Sequence, residues 1–155
     1  NRYNFMRKHR KARHKHYSAR LIHELISLYK EYTGKKLKLI ETPPAEIYLS
    51  EYDRITHLAY VDENRKILEV VNISYEILLE DQWVTITRFD SHHGYLHRHT
   101  RISLEDETEI EDSVGVKRRG NPHLWYTWAI RDIKKRFIEY RMRFARRSKI
   151  SNLGY

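Results

Sequence analysis

From Ser18 onward the apolar positions recur at helical spacing. Leu21, Ile22, Leu25, Ile26, Leu28, Tyr29 and Tyr32 fall on one broad side at a 3.6-residue period, and Gly34 stands where helices commonly close. An amphipathic helix is therefore predicted from Ser18 to about Thr33, its stripe facing the core. The period then shifts to two. Residues 36–40 (KLKLI) and 46–49 (EIYL) are short strand candidates around Pro43-Pro44. Ile55–Val61 follows, then a polar turn at Asp62-Glu63-Asn64-Arg65, then Ile67–Leu79, in which Ile67, Val71, Ile73, Tyr75, Ile77 and Leu79 alternate with more polar partners. Leu79-Glu80-Asp81-Gln82 turns the chain into Trp83–Phe89, and Asp90–Gly94 turns it into Tyr95–Leu104. Successive strands on short turns predict an antiparallel meander of about four strands.

Asn121-Pro122 reads as an N-cap followed by Pro at the first helical position. No Pro or Gly follows until Gly154, so one long helix to about Ser148 is expected, spanning roughly 40 Å at 1.5 Å per residue. Ile130, Ile133, Phe137 and Phe144 cluster on one side of it. Lys135, Arg136, Arg143, Arg146 and Arg147 fall within an arc of roughly 120° on another. The expected fold is α+β: the meander, an N-terminal helix and a long C-terminal helix as one domain over residues 17–149. A basic arm, residues 1–16, precedes it, and a short tail, residues 150–155, follows.

Composition narrows the function classes. With 155 residues, 40% of them hydrophobic, the chain has enough apolar material for one packed core. The absence of cysteine excludes disulfides, thiolate catalysis and cysteine-based zinc sites. No segment approaches the roughly 20 apolar residues of a membrane-spanning helix. The first twenty residues are basic and polar rather than leader-like, so a cytoplasmic protein with no membrane partner is expected.

Charge placement says more than the net +9. Residues 1–20 carry eight basic residues and no acid, residues 116–149 carry twelve basic residues and two acids, and the stretch between is net −9. Two cationic ends around an acidic body predict a polyanionic partner. In the arm (NRYNFMRKHRKARHKH), Arg7, Lys8, Arg10, Lys11, Arg13 and Lys15 alternate with His and with Tyr3 and Phe5, suiting phosphate contact with occasional base stacking. The arm has no apolar period and is expected to order only on binding. Arg118 and Arg119, in a predicted loop, and the helix cations Lys135, Arg136, Arg143, Arg146 and Arg147 extend the candidate nucleic-acid surface. Trp125 and Trp128 are read as core.

Four of the ten histidines sit together in the run from Ser91 to His99. If Phe89 pairs with Tyr95, then Thr87 lies opposite His97, Thr85 opposite His99 and Trp83 opposite Arg101. One face of this hairpin would then show Trp83, Thr85, Thr87, Phe89, Tyr95, His97, His99 and Arg101, as an open RNA-contacting sheet surface does. Three roles stand open for His97 and His99. They are metal ligands completed by Asp90, His92 or His93; or an acid–base pair acting on a ribose 2′-OH and a leaving 5′-oxygen, with Arg88 or Arg101 steadying the phosphate; or polar surface residues without chemistry.

Arg88-Phe89-Asp90, with His92-His93 and His97-Arg98-His99 after it, resembles the small TumE-like toxin components of prokaryotic toxin–antitoxin pairs. Those chains read as a strand ending in Arg–aromatic–Asp, a His-containing loop, an H-x-H strand and a closing helix. The resemblance covers about residues 55–145. It implies a prokaryotic cytoplasmic protein acting on RNA or translation, with Arg88, Asp90, His93, His97 and His99 as the catalytic set and an acidic antitoxin as partner. The short Asp90–His97 loop and the basic N-terminal arm depart from that pattern and favour stable docking on a large polyanion.

No helix-turn-helix spacing, zinc finger or basic-region heptad points to duplex DNA. The expectation is an RNA-binding accessory protein, associated with a ribosome or another ribonucleoprotein, with rRNA as the favoured ligand, ribosomal proteins as neighbours and no cofactor. The alternatives are a metal-independent RNA-cleaving toxin and a basic partner for an acidic protein.

Overall fold

The computed structural model describes residues 40–42, 44–92, 94–112 and 121–151. The expected arm, the expected helix over Ser18–Thr33, most of the 36–40 strand candidate, His93, Arg118 and Arg119 lie outside the described residues, as does most of the 150–155 tail. Within them the chain is α+β. Seven strands, β1 (Ile40–Glu41), β2 (Ala45–Tyr48), β3 (Asp53–Val61), β4 (Ile67–Leu79), β5 (Gln82–Asp90), β6 (His97–Arg101) and β7 (Glu109–Asp112), precede one helix, α1 (Pro122–Arg147).

All strand pairs are antiparallel, in the order β1-β3-β4-β5-β6-β7, with β2 also paired to β3. The sheet is thus larger than the four-stranded meander expected. β3 to β6 form that meander, and β1 and β2 line successive stretches of β3's free edge. They are separate because Pro43-Pro44 supplies no N–H to the ladder. β7 is the strand that periodicity did not predict. Residues 105–112 (EDETEIED) form an acidic run, and its last four, Glu109 to Asp112, pair with β6 so that Glu109 meets Arg101, Glu111 meets His99 and Asp112 meets Arg98. Opposite charge across the ladder stabilises a strand that carries little apolar material.

Tight turns follow local chemistry. The β4–β5 hairpin turns on Glu80 and Asp81, both at positive φ (46° and 60°), the conformation of a two-residue type I′ loop. Asn121 caps α1 by accepting a hydrogen bond from the Leu124 amide, and Pro122 occupies the first turn as expected.

α1 packs on one face of the sheet. Trp125, Ala129, Ile133, Tyr140 and Phe144 meet Ile55, Val70, Ile73, Tyr75, Ile77, Ile86, Phe89 and Leu96 in one core. Phe89 stands edge-on to Trp128 at 5.9 Å, and Tyr75 edge-on to Phe137 at 6.1 Å, so both tryptophans of α1 serve the core side. Each large side chain removed from water here contributes roughly 1.5–3 kcal/mol of transfer free energy.

The hairpin register differs from the one expected, with consequences for every side chain on it. Asp90 pairs with His97, Phe89 with Arg98, Arg88 with His99 and Thr87 with Thr100. The register also shifts between Tyr75 and Glu76, leaving Ile86 as an extra residue on β5. The pairing is displaced by three residues from the expected one, and a bulge and an odd-numbered slip each reverse the parity of inward and outward positions. The predicted face therefore divides. Phe89 and Thr87 turn to the helix side with Arg98, while His97, His99 and Arg101 share the other side with Arg88, Asp90, Glu109 and Glu111.

Candidate functional site

Alternation along β5, β6 and β7 brings together four of the five residues that the toxin resemblance implies, with Asp90 at their centre. The Asp90 carboxylate receives Arg88 Nη1 at 2.6 Å and lies 3.1 Å from His99 Nε2 and 3.8 Å from His92 Nε2. Burial would raise its pKa, but the His99 hydrogen bond and the His92 and Arg88 charges outweigh burial and hold it well below the usual carboxylate range. His92 bonds Glu69 at 2.9 Å through Nδ1, and His97 bonds Glu111 at 2.9 Å. The Tyr95 ring lies 4.0 Å from the His97 ring, centre to centre, and the His97 and His99 rings are 6.3 Å apart.

The acidic run closes this cluster. Arg88 donates to Glu109 through Nε at 3.0 Å and Nη2 at 2.7 Å, and its pKa is raised because these partners outweigh the opposing effect of burial. His99 Nδ1 lies 3.7 Å from Glu109 and 3.9 Å from Glu111. Arg101, expected on an open face, is buried. It donates to the carbonyls of Ser103 at 2.7 Å and Leu104 at 2.5 Å and reaches Glu107 at 3.5 Å, fastening the β6–β7 loop. The open stacking surface expected from the sequence is thus replaced by an ion-paired cluster. Among the described residues no group of three His, Asp or Glu is disposed to hold a metal ion.

The helix cations divide by face. Arg136 is half-buried over the Tyr140 ring at 5.1 Å and bonded to Glu139 at 3.0 Å, and Arg143 meets the same Glu139 at 2.5 Å. Lys135, Arg146 and Arg147 are exposed. The outer ridge also carries Arg131, Lys134 and, just past the last turn, Lys149, all exposed and none singled out by the sequence reading. They were legible: at about 100° per residue Arg131 lies opposite the Ile133 and Phe144 stripe. Exposed Ile138 (52%) and Met142 (59%) stand between them. Arg141 is the exception. It turns inward to bond Asp53 at 2.7 Å, both side chains being buried.

Among the described residues, an antiparallel sheet with a charged network on one face and a cationic helix across the other defines the class of this protein: a basic α+β domain. A family model described as a domain of unknown function (DUF7718) matches residues 35–150, and the chain belongs to that family. No curated protein and no solved structure matches the chain. No helix among the described residues is long and apolar enough to cross a membrane.

Proposed function

We propose that this protein is a cytoplasmic RNA-binding accessory factor, associated with a ribosome or another ribonucleoprotein, that docks through the outer ridge of α1. One observation carries the reading. Arg131, Lys134, Lys135, Arg146 and Lys149 are exposed, and none has an ion-pair partner among the described residues. From Arg131 to Arg146 the ridge runs about 22 Å along the helix, a reach of several phosphates. Displacing counterions from those phosphates drives such binding, and Ile138 and Met142 offer apolar contact to ribose or bases between the charges.

Charge reversal tests this. Lys134→Glu/Lys135→Glu/Arg146→Glu should weaken binding to a single-stranded RNA roughly tenfold or more and flatten the salt slope by about 2, at about 0.7 per lost phosphate contact. Unchanged affinity and slope would overturn it. A chain that bound only an acidic protein would show no salt-dependent RNA binding at all.

A second reading, the TumE-like ribonuclease, draws on the convergence of Arg88, Asp90, His97 and His99. Asp90 fixes the orientation of His99, as an orienting carboxylate does for a general base. Under this reading His97→Ala/His99→Ala abolishes RNA cleavage and growth arrest on expression while sparing binding. Retained arrest would remove histidine chemistry as its cause.

A further inference from the structure

Between the last turns of α1 and the β6–β7 edge lies a groove of about 190 Å³. Three arginines line it, Arg98, Arg143 and Arg147, together with Thr100, Asp112 and Tyr140. The fold builds it from two periodicities. Alternation on β6 sends Arg98 and Thr100 to the helix side, and helical spacing sets Tyr140, Arg143 and Arg147 along one line facing them.

The Arg98 guanidinium forms the floor. Nε and Nη2 donate to Asp112 at 3.1 and 2.9 Å, and Nη1 donates to the Tyr140 hydroxyl at 3.2 Å. A guanidinium has five N–H donors, so these bonds fix the fork and leave one hydrogen on each terminal nitrogen. Such a donor loses little entropy when it takes an anion. Tyr140 stays a neutral phenol, its pKa pushed up to about 12 by burial and the neighbouring Asp132. Arg143 and Arg147 stand at the mouth. Arg143 is 59% exposed in a surface pair with Glu139, a weak kind of contact, so it is readily redirected. Arg147 makes one long contact, 3.4 Å, to the Arg101 carbonyl. The lining itself carries three cations against the one carboxylate of Asp112, with Glu139 paired to Arg143 beside it. At about 30 Å³ per water the groove holds roughly six waters, below the roughly 300 Å³ of a drug-sized ligand site. It has room for a phosphate group.

We infer that this groove binds a single phosphate of the RNA chain, held by Arg98 from below and by Arg143 and Arg147 from the mouth. The inference rests on the RNA reading for the source of the phosphate, and it adds a contact on the flank of α1, away from the outer ridge.

The test is a titration of the full-length ¹⁵N-labelled chain with inorganic phosphate at constant ionic strength. Saturable shifts are expected at the Thr100 amide and the Arg98 Nε–H. The surface variant Arg143→Gln/Arg147→Gln should raise the phosphate dissociation constant at least fivefold, and an RNA oligonucleotide should displace the phosphate where oligoglutamate of equal charge does not. Shifts that never saturate, or that survive the double variant, overturn the site. Displacement by oligoglutamate as well as by RNA overturns the ligand and assigns the groove to an acidic polypeptide. Failure of the RNA reading has a different signature: phosphate saturates the groove while no RNA binds the wild-type chain.

Discussion

Arg141→Met separates the cations that hold this fold from those exposed on the outer ridge of α1. Arg141 and Asp53 are 4% and 0% exposed, with Nη1 2.7 Å from Oδ2. Asp53 also accepts from the Tyr75 hydroxyl at 2.5 Å and from Ser50 Oγ at 2.5 Å, so its carboxylate ties the start of β3 to β4 and α1. Coulomb attraction at 2.7 Å in an effective dielectric of about 20 is about 6 kcal/mol. Removing the arginine also relieves its own desolvation, and breaking one side of a buried pair costs about 3–5 kcal/mol on balance. Methionine fills much of the arginine stem, so the loss expected in urea unfolding, followed by tryptophan fluorescence, is about 3–5 kcal/mol. Arg146→Met, on the exposed ridge, should cost less than about 0.5 kcal/mol. Adding Asp53→Asn to Arg141→Met should cost less than the sum of the two single changes, because the second substitution removes the stranded charge. A loss below 1 kcal/mol for Arg141→Met, or strict additivity of the pair, would refute the argument.

Two further perturbations probe the histidine hairpin. Asp90 has a folded pKa below its ordinary 3.8, so the stability it contributes is complete above that pH and is lost as the pH falls through the folded value. Asp90→Asn should therefore be about 3 kcal/mol less stable than wild type at pH 7, with the gap narrowing as the pH drops below 3.8; a gap that stays constant in urea titrations from pH 7 to pH 3 would contradict this. Gly94 adopts φ 81° with nothing within 4 Å of where a Cβ would stand, so Gly94→Ala costs backbone strain alone, about 1 kcal/mol. Gly94→Asn should recover part of that loss, and a thermal scan in which both variants match wild type would rule the strain out.

The legible parts of the fold were those governed by local pattern. β4 runs from Ile67 to Leu79 as its alternation predicted, and Asn121-Pro122 opens α1. The α1 core stripe of Ile133 and Phe144 likewise followed from period alone. What escaped depends on pairs distant in sequence. The bulge at Ile86 and the slip that sets Asp90 against His97 leave no local trace, yet the bulge exchanges the faces along β5 and the slip exchanges those of β6 against it. β7 escaped because its strand pairing comes from the cations of β6 and not from its own apolar content. Asp53 escaped for the same reason: its partners Tyr75 and Arg141 lie 22 and 88 residues away. The candidate site was legible in composition and not in geometry. Arg88, Asp90, His97 and His99 do converge, but around a carboxylate closed by Glu109 and Glu111 instead of on an open face.

Two populations stand out among the cations of the described residues, and the division bears on function. Arg54, Arg88, Arg98, Arg101 and Arg141 are buried or half-buried, and each meets a carboxylate. For these, positive charge is balanced within the fold by carboxylates from the acidic middle of the chain. Arg131, Lys134, Lys135, Arg146 and Lys149 share one ridge, where the nearby acids are already taken: Asp132 by Arg136, and Glu139 by Arg136 and Arg143. A surface shaped for solubility alone intersperses both signs. This ridge instead concentrates one sign beside exposed Ile138 and Met142, at a cost in self-repulsion that nothing within the described fold repays. If the proposed RNA reading holds, a bound polyanion offsets that repulsion, and charge reversal should accordingly cost RNA affinity on the ridge while relieving repulsion there, so that Lys134→Glu/Lys135→Glu/Arg146→Glu lowers binding without lowering stability.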